Sequence, residues 1–213
     1  MTRLRLTEIF YSLQGETRTV GLPTVFVRLT GCPLRCQYCD TAYAFQGGQW
    51  HELDAIVAQV AAYQAQYVTV TGGEPLAQKD CLTLLNRLCD EGYQVSLETS
   101  GALSVAEVDT RVTKVIDIKT PGSLEVEKND WRNLDYLLSH DQLKFVICDH
   151  QDYLWSKQIL QQYNLNQRCE VLFSPSYSEV LPGQLADWIL QDKLPVRLQI
   201  QLHKYLWGDV KGR

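Results

Sequence analysis

No apolar run in the 213-residue sequence approaches the roughly 20 residues that a membrane-spanning helix needs. The opening residues Met1-Thr-Arg-Leu-Arg-Leu6 also lack the apolar core of a secretory leader. A cytoplasmic protein with no membrane partner is therefore expected. A basic excess is missing too. Lys plus Arg number 20 against 25 Asp plus Glu, a formal charge of -5, so the electrostatic footprint of a nucleic-acid binder is absent. Long Ser, Gln, Pro or charge tracts are lacking, as are internal repeats, while 45% of residues are hydrophobic and 21% charged. That composition suits an ordinary folded globule. At ~100 to 200 residues per domain, the length predicts a single domain, 1–213.

What is present is alternation. Segments 25–29, 67–70, 94–98, 114–118, 143–147, 170–173 and 196–200 are short and rich in β-branched or aromatic residues, so each reads as a strand. Between them, 51–64, 81–89, 130–138, 153–163 and 185–190 carry apolar residues at helical spacing, with Pro182-Gly183 marking the last helix start. Strand–helix alternation gives parallel strands with right-handed crossovers, either a doubly wound sheet or a (β/α) barrel. A complete eightfold barrel takes about 250 residues. The expected fold class is α/β, and a barrel of this length would be an incomplete (β/α) barrel of about six to seven mostly parallel strands with outer helices.

The seven cysteines are an odd number, and in a reducing compartment a cysteine group is metal-binding or catalytic more often than a disulfide framework. Cys81, Cys89, Cys148 and Cys169 are scattered and read as small buried hydrophobes. Trp131, Trp155 and Trp188, inside expected helices, read as core or dimer contacts. Cys32, Cys36 and Cys39 are different, spaced C-x3-C-x2-C directly after strand 25–29 in a loop, 31–41. A structural zinc site would ordinarily draw a second Cys or His pair, and none with that spacing follows. Three thiolates on one loop suit three irons of a 4Fe-4S cubane and leave the fourth iron open. A ferredoxin would need a fourth cysteine, yet the nearest, Cys81, sits in an apolar helical stripe. Zinc stays as the minority alternative.

With Tyr38 at its aromatic position, C-x3-C-x-aromatic-C resembles the signature of radical S-adenosylmethionine enzymes, and Thr71-Gly-Gly-Glu-Pro75 resembles their second motif. The resemblance implies a 4Fe-4S cluster on Cys32, Cys36 and Cys39, with S-adenosylmethionine chelating the open iron through its amine and carboxylate. An electron from the cluster then yields a 5′-deoxyadenosyl radical, while the protein orients the cofactor. Tyr38, Gly72, Gly73 and Glu74 are the implied cofactor contacts. Read without the resemblance, Gly-Gly is a turn and Glu74 a helix-start acid.

The stretch Glu8-Ile-Phe-Tyr-Ser-Leu-Gln-Gly-Glu16, then Gly21-Leu-Pro-Thr-Val-Phe-Val-Arg-Leu29, the cysteine loop and Asp40-Thr41, closely resembles the 7-carboxy-7-deazaguanine synthase family. The likeness continues through Glu98-Thr-Ser-Gly101, Asp117-Ile-Lys119 and Gln201-Leu-His-Lys204. That family contracts the ring of 6-carboxy-5,6,7,8-tetrahydropterin with loss of ammonia, making the deazapurine precursor of queuosine. The resemblance implies substrate contacts at Leu13, Gln14, Gly15, Glu16, Arg28, Thr99, Gln201 and His203, and Mg2+ at Thr41. It places the cofactor against Gly101, Asp117, Ile118 and Lys119, and it assigns no catalytic side chain beyond cluster and cofactor. An electron donor such as flavodoxin and a homodimer are also implied.

The chemistry is sensible. Arg28 offers a planar fork of donors to a carboxylate, and Glu16 offers acceptors to guanidine-like donors. Thr41 offers oxygen to a hard cation. The plain alternatives are an ion pair for Arg28, a turn for 13–16, an N-cap for Thr41 and a structural His203. The sequence departs from the family at Thr17, where a second Gly usually follows Gln-Gly-Glu, and in the tail of its C-terminal segment 196–213, from Trp207 to Arg213. Two other functions stay in view: a radical enzyme that activates a partner polypeptide, and a non-catalytic iron-sulfur or zinc protein.

Overall fold

The β-branched runs do form parallel strands. In the computed structural model, which describes residues 2–208 and 210–212, they are β2 (Pro23–Leu29), β4 (Tyr67–Gly72), β5 (Gln94–Thr99), β6 (Thr113–Ile118), β7 (Gln142–Ile147), β8 (Glu170–Pro175) and β9 (Arg197–Leu198). Each pairs in parallel with the next in that series. Two strands not expected from the sequence complete one edge: β1 (Arg3–Leu13), antiparallel to β2, and β3 (Gln49–Glu52), antiparallel to β1. The sheet order is β3-β1-β2-β4-β5-β6-β7-β8-β9. A doubly wound sheet reverses direction at a switch point. Here the parallel strands advance in one sense, and β3 and β9 remain unjoined edges, so the architecture is an open, incomplete barrel.

Outer helices cover one face: α1 (Leu53–Ala62), α2 (Cys81–Asp90), α3 (His150–Gln162) and α4 (Pro182–Asp192). Their apolar stripes bury Ile56, Val60, Leu84, Leu85, Leu88 and Leu160 against Val25, Val27, Val70, Leu97, Ile116 and Phe145. Fully burying each such side chain is worth about 1.5–3 kcal/mol. Because strand side chains alternate, the intervening residues Phe26, Arg28, Thr71, Glu98, Asp117 and Lys144 turn to the opposite, concave face. Trp131, Trp155 and Trp188 pack at the margin of the core. Cys81 and Cys169 are buried, whereas Cys89 and Cys148 are partly exposed rather than buried.

Three local expectations need correction. The α1 helix starts later than 51 because His51 and Glu52 pair with Leu4 and Arg3 in the β3 edge. Segment 130–138 is a 3-10 helix, Trp131–Tyr136, not an α-helix. Its Asn133 is buried and gives its amide to Gly101 O and Leu103 O while accepting from Val105 N, so this turn serves the β5–β6 connection. Finally, the last strand does not run over 196–200 up to Gln201 and His203. β9 stops at Leu198, and these residues form the N-cap and first turn of a short helix, α5 (Leu202–Trp207).

Candidate active site

The strands' C-terminal ends, with the loops that follow them, enclose a cavity of about 430 Å3. Its rim begins with the cysteine loop, which leaves β2 at Gly31. Backbone bonds fix the base: Gly31 N donates to Ala44 O at 2.8 Å, Glu74 N to Gly31 O at 2.8 Å, and Gly73 N to Leu29 O at 3.2 Å. A Cβ on Gly73 would stand 2.3 Å from Gly31 O, so the second glycine is required by close approach of backbone to backbone. The Arg35 guanidinium braces the loop from within, donating to Cys32 O and Leu34 O at 2.8 and 2.6 Å and lying 4.4 Å from the Phe45 ring centroid.

Cys32, Cys36 and Cys39 all face the cavity and are partly exposed. Burial pushes all three thiols up, Cys36 to about 11, so binding a metal would release their protons. Among the described residues, no three His, Cys, Asp or Glu groups converge on one ion position. A tetrahedral zinc with Zn–S near ~2.3 Å would need such convergence. Three thiols around a shared cavity instead fit a larger iron-sulfur group.

Glu74 is fully buried and does not line the cavity. Its carboxylate accepts from Leu76 N at 3.0 Å, Thr99 Oγ1 at 2.9 Å, Ser100 N at 2.7 Å and Ser100 Oγ at 2.5 Å. It therefore knits the end of β4 to the end of β5 behind the wall. Gly101 and Ile118 also stand outside the lining, whereas Leu13, Gln14, Gly15, Glu16, Arg28, Tyr38, Thr41, Gly72, Gly73, Thr99, Asp117, Lys119, Gln201 and His203 all belong to it. Gly15, on that lining, is also where α5 packs. Leu202 N donates to Gly15 O at 2.9 Å, and a Cβ there would meet His203 Nδ1 at 2.0 Å. The glycine makes room for α5.

Charge is arranged in pairs. Arg28 Nε donates to Glu8 Oε1 at 2.8 Å, Tyr43 donates to the same oxygen at 2.8 Å, and the guanidinium lies 5.6 and 5.9 Å from the Phe10 and Tyr43 centroids. Holding Nε leaves the Nη end to face the cavity. Lys119 pairs with Asp117 at 2.9 Å beneath Tyr38. The second Asp117 oxygen and the Tyr38 hydroxyl are buried without a hydrogen-bond partner among the described residues. Burial would raise the Asp40 carboxyl, but the Lys204 ammonium 3.0 Å away holds it down to about 2. Gln201 and Thr41 also donate to Asp40, so α5 is latched to the cysteine loop. Sequence reasoning assigned no role to Lys144, Glu98, Asp40 or Lys204, all of which line the cavity. The available signal was a charge at an apolar strand's alternating position, as in Leu143-Lys144-Phe145.

The Radical SAM superfamily model matches residues 26–114, which implies a 4Fe-4S cluster and S-adenosylmethionine. The crystal structure of QueE from Escherichia coli shares the fold with a TM-score of 0.77 at 22% identity, covering 95% of this chain and 96% of that one. A 7-carboxy-7-deazaguanine synthase of Koribacter versatilis is 41% identical over 98% of this chain and 100% of its own. One from Chlorobaculum tepidum is 44% identical over 98% of this chain and 97% of its own length. Identity at that level from end to end makes this chain a member of the 7-carboxy-7-deazaguanine synthase family.

Proposed function

We propose that this chain contracts the ring of 6-carboxy-5,6,7,8-tetrahydropterin to 7-carboxy-7-deazaguanine with release of ammonia, on the route to queuosine and related 7-deazapurines. The reaction is redox-neutral overall, because product and ammonia together account for every atom of the substrate. The observation that carries the reading is the meeting in one cavity of the cysteine loop with Arg28 and Glu16, one suited to a carboxylate and one to a ring amine. Whole-chain action as a single radical domain is part of the same proposal.

When bound, the cluster and S-adenosylmethionine would supply a 5′-deoxyadenosyl radical. The rest of the work is positioning. Arg28, aimed by Glu8 and Tyr43, holds the substrate carboxylate and so fixes carbon 6, where hydrogen abstraction begins. Thr41 gives its hydroxyl hydrogen to Asp40 Oδ1 at 3.0 Å, which leaves its oxygen lone pairs to a hard cation. Mg2+ is that cation in this proposal: Thr41 would hold it, and it would supply positive charge for the substrate carboxylate. Gln14, Thr99 and His203 complete the substrate wall. Asp117, Lys119, Tyr38 and the Gly72-Gly73 backbone face the cofactor, with Glu74, Gly101 and Ile118 supporting them from behind.

No helix among the described residues is long and apolar enough to cross a membrane, which accords with a proposed cytoplasmic location. A homodimer reduced by flavodoxin completes the proposal. Anaerobic turnover of reconstituted protein with the tetrahydropterin, S-adenosylmethionine, Mg2+ and dithionite tests it. Deazaguanine and ammonia in equal amounts are expected. Cofactor cleavage without ring contraction would overturn the substrate assignment.

A further inference from the structure

Lys144 occupies the third position of β7 and turns from the apolar face into the cavity, where its side chain is 15% exposed. An ammonium so nearly removed from water needs partners. It has Glu16 Oε2 at 2.6 Å, and Asp117 is its register partner across the β6–β7 ladder. Burial would raise the Glu16 carboxyl, but Lys144 holds it below its ordinary value. For Lys144 the order is the same: burial works against the charge, while Glu16, Asp117 and Glu98 raise the ammonium above its ordinary value. Both groups are therefore charged at neutral pH.

The pair is rigid yet incomplete. Glu16 N donates to Gln14 Oε1 at 3.2 Å, the Gln14 amide reaches Glu98 and Thr69 at 3.2 and 3.1 Å, and Thr71 holds the other Glu98 oxygen at 3.0 Å. Three strands and a loop thus fix where Glu16 stands. Among the described residues no further hydrogen bond reaches its carboxylate, and an ammonium carries two more N–H groups than the one spent on Glu16.

A carboxylate beside an ammonium on one cavity wall presents acceptors next to donors. The complementary edge is a carbonyl followed by a ring N–H and an exocyclic amine, the edge of a 2-amino-4-oxopyrimidine. We propose that Lys144 is a specificity-determining residue, donating to the ring carbonyl and holding Glu16 aimed at the ring N–H and the amine. Arg28, on β2, takes the carboxylate at the other end. This inference rests on the pterin reading of the substrate.

Fluorescence titration without reductant separates the two. The probes are 6-carboxypterin and 6-carboxylumazine, which carries a carbonyl in place of the exocyclic amine. Wild-type protein should bind the pterin at least about tenfold more tightly, because an acceptor facing Glu16 leaves both unpaired. Lys144→Met should lose about tenfold or more in pterin affinity and most of the preference. Wild-type affinity and preference in a folded Lys144→Met protein would overturn the proposal. Should that variant fail to fold, Lys144→Met/Glu16→Gln removes both buried charges and carries the test. Because Glu16→Gln alone can remove the preference, the double variant is compared with Glu16→Gln: a further loss of pterin affinity of about tenfold supports the Lys144 assignment, and equal affinity of the two refutes it. Turnover of the tetrahydropterin by wild type without preference between the probes refutes the Lys144 assignment alone. Neither binding nor turnover would remove the pterin reading together with it.

Discussion

Lys114–Asp141 and Lys144–Glu16 are the same chemical pair in two regions of the sheet, and they are finished differently. Lys114 enters near the start of β6 and Asp141 immediately precedes β7. Their side chains are 2% and 0% exposed. Both Asp141 oxygens are occupied, Oδ1 by Lys114 N at 2.8 Å and Oδ2 by Leu138 N at 2.8 Å and Lys114 Nζ at 2.9 Å. This pair closes a turn. Lys144–Glu16, by contrast, faces the cavity with acceptor and donor capacity to spare. A buried pair whose carboxylate oxygens are both occupied holds a fold in register, while one that faces a cavity with a carboxylate oxygen to spare marks where a ligand belongs.

Substitutions on the cavity side should therefore remove function without unfolding, and those at the closed pair should do the reverse. The largest effect belongs to the loop. Cys36→Ala should eliminate iron-sulfur absorbance and S-adenosylmethionine cleavage, with stability changed by less than about 1 kcal/mol, because the thiol is partly exposed. An intact, active cluster in that variant would defeat the ligand assignment. Asp141→Ala comes next. It leaves the Lys114 ammonium buried alone and strips Leu138 N of its acceptor, at a cost of about 3–5 kcal/mol. Denaturant titration measures it, and activity per folded molecule should be unchanged. A fall in that activity would break the contrast between the two regions.

Arg28→Ala should raise the substrate KM by about 10- to 100-fold, the worth of charge-assisted hydrogen bonds, and leave cofactor binding untouched. Normal KM would return Arg28 to the plain ion pair with Glu8. A smaller effect is expected at Thr17, which sits at φ 67. A β-branched residue there pays for a crowded Cβ, so Thr17→Gly should stabilise by about 0.5–1 kcal/mol net of glycine's own entropy cost. A destabilised variant would mean that the Thr17–Thr19 hydroxyl contact at 3.2 Å outweighs the backbone strain.

The same contrast explains what was legible in the sequence. Strands with one face packed under the outer helices read as short runs of β-branched and apolar residues, which is why β2 and β4 to β8 stood out. The cysteine loop was legible because chemistry demands three thiols at close spacing. β1 was hidden by its position. It alternates exposed Arg3 and Arg5 with buried Leu4 and Leu6, then loses that alternation where its register slips between Leu6 and Glu8. β3 is four residues, mostly exposed and polar, and exists through its pairing with β1. Lys144 and Asp40 take their meaning from partners 128 and 164 positions away, Glu16 and Lys204. No local pattern encodes such distances. Gly15 leaves space that is taken by His203, a partner far along the chain that no local pattern announces.

The packing of His203 against Gly15 ties the docking of α5, and of α5 alone, to pH. Burial holds His203 below its ordinary value, against the attraction of Glu16 and Asp40. The ring is therefore neutral when α5 is docked. An unfolded or undocked His203 binds a proton more readily, so the docked form has its full stability above about pH 6.5 and loses it as pH falls through the lowered folded value. The protection of α5 amides, corrected for the slower intrinsic exchange at low pH, should fall between pH 7.5 and 5.5 without a matching change in the core strands. His203→Asn should remove the acid-induced part of that loss, since it leaves no ring to protonate beside Gly15. Equal protection of α5 at both pH values in the wild type would show that His203 does not govern the latch, leaving Lys204–Asp40 to hold the helix alone.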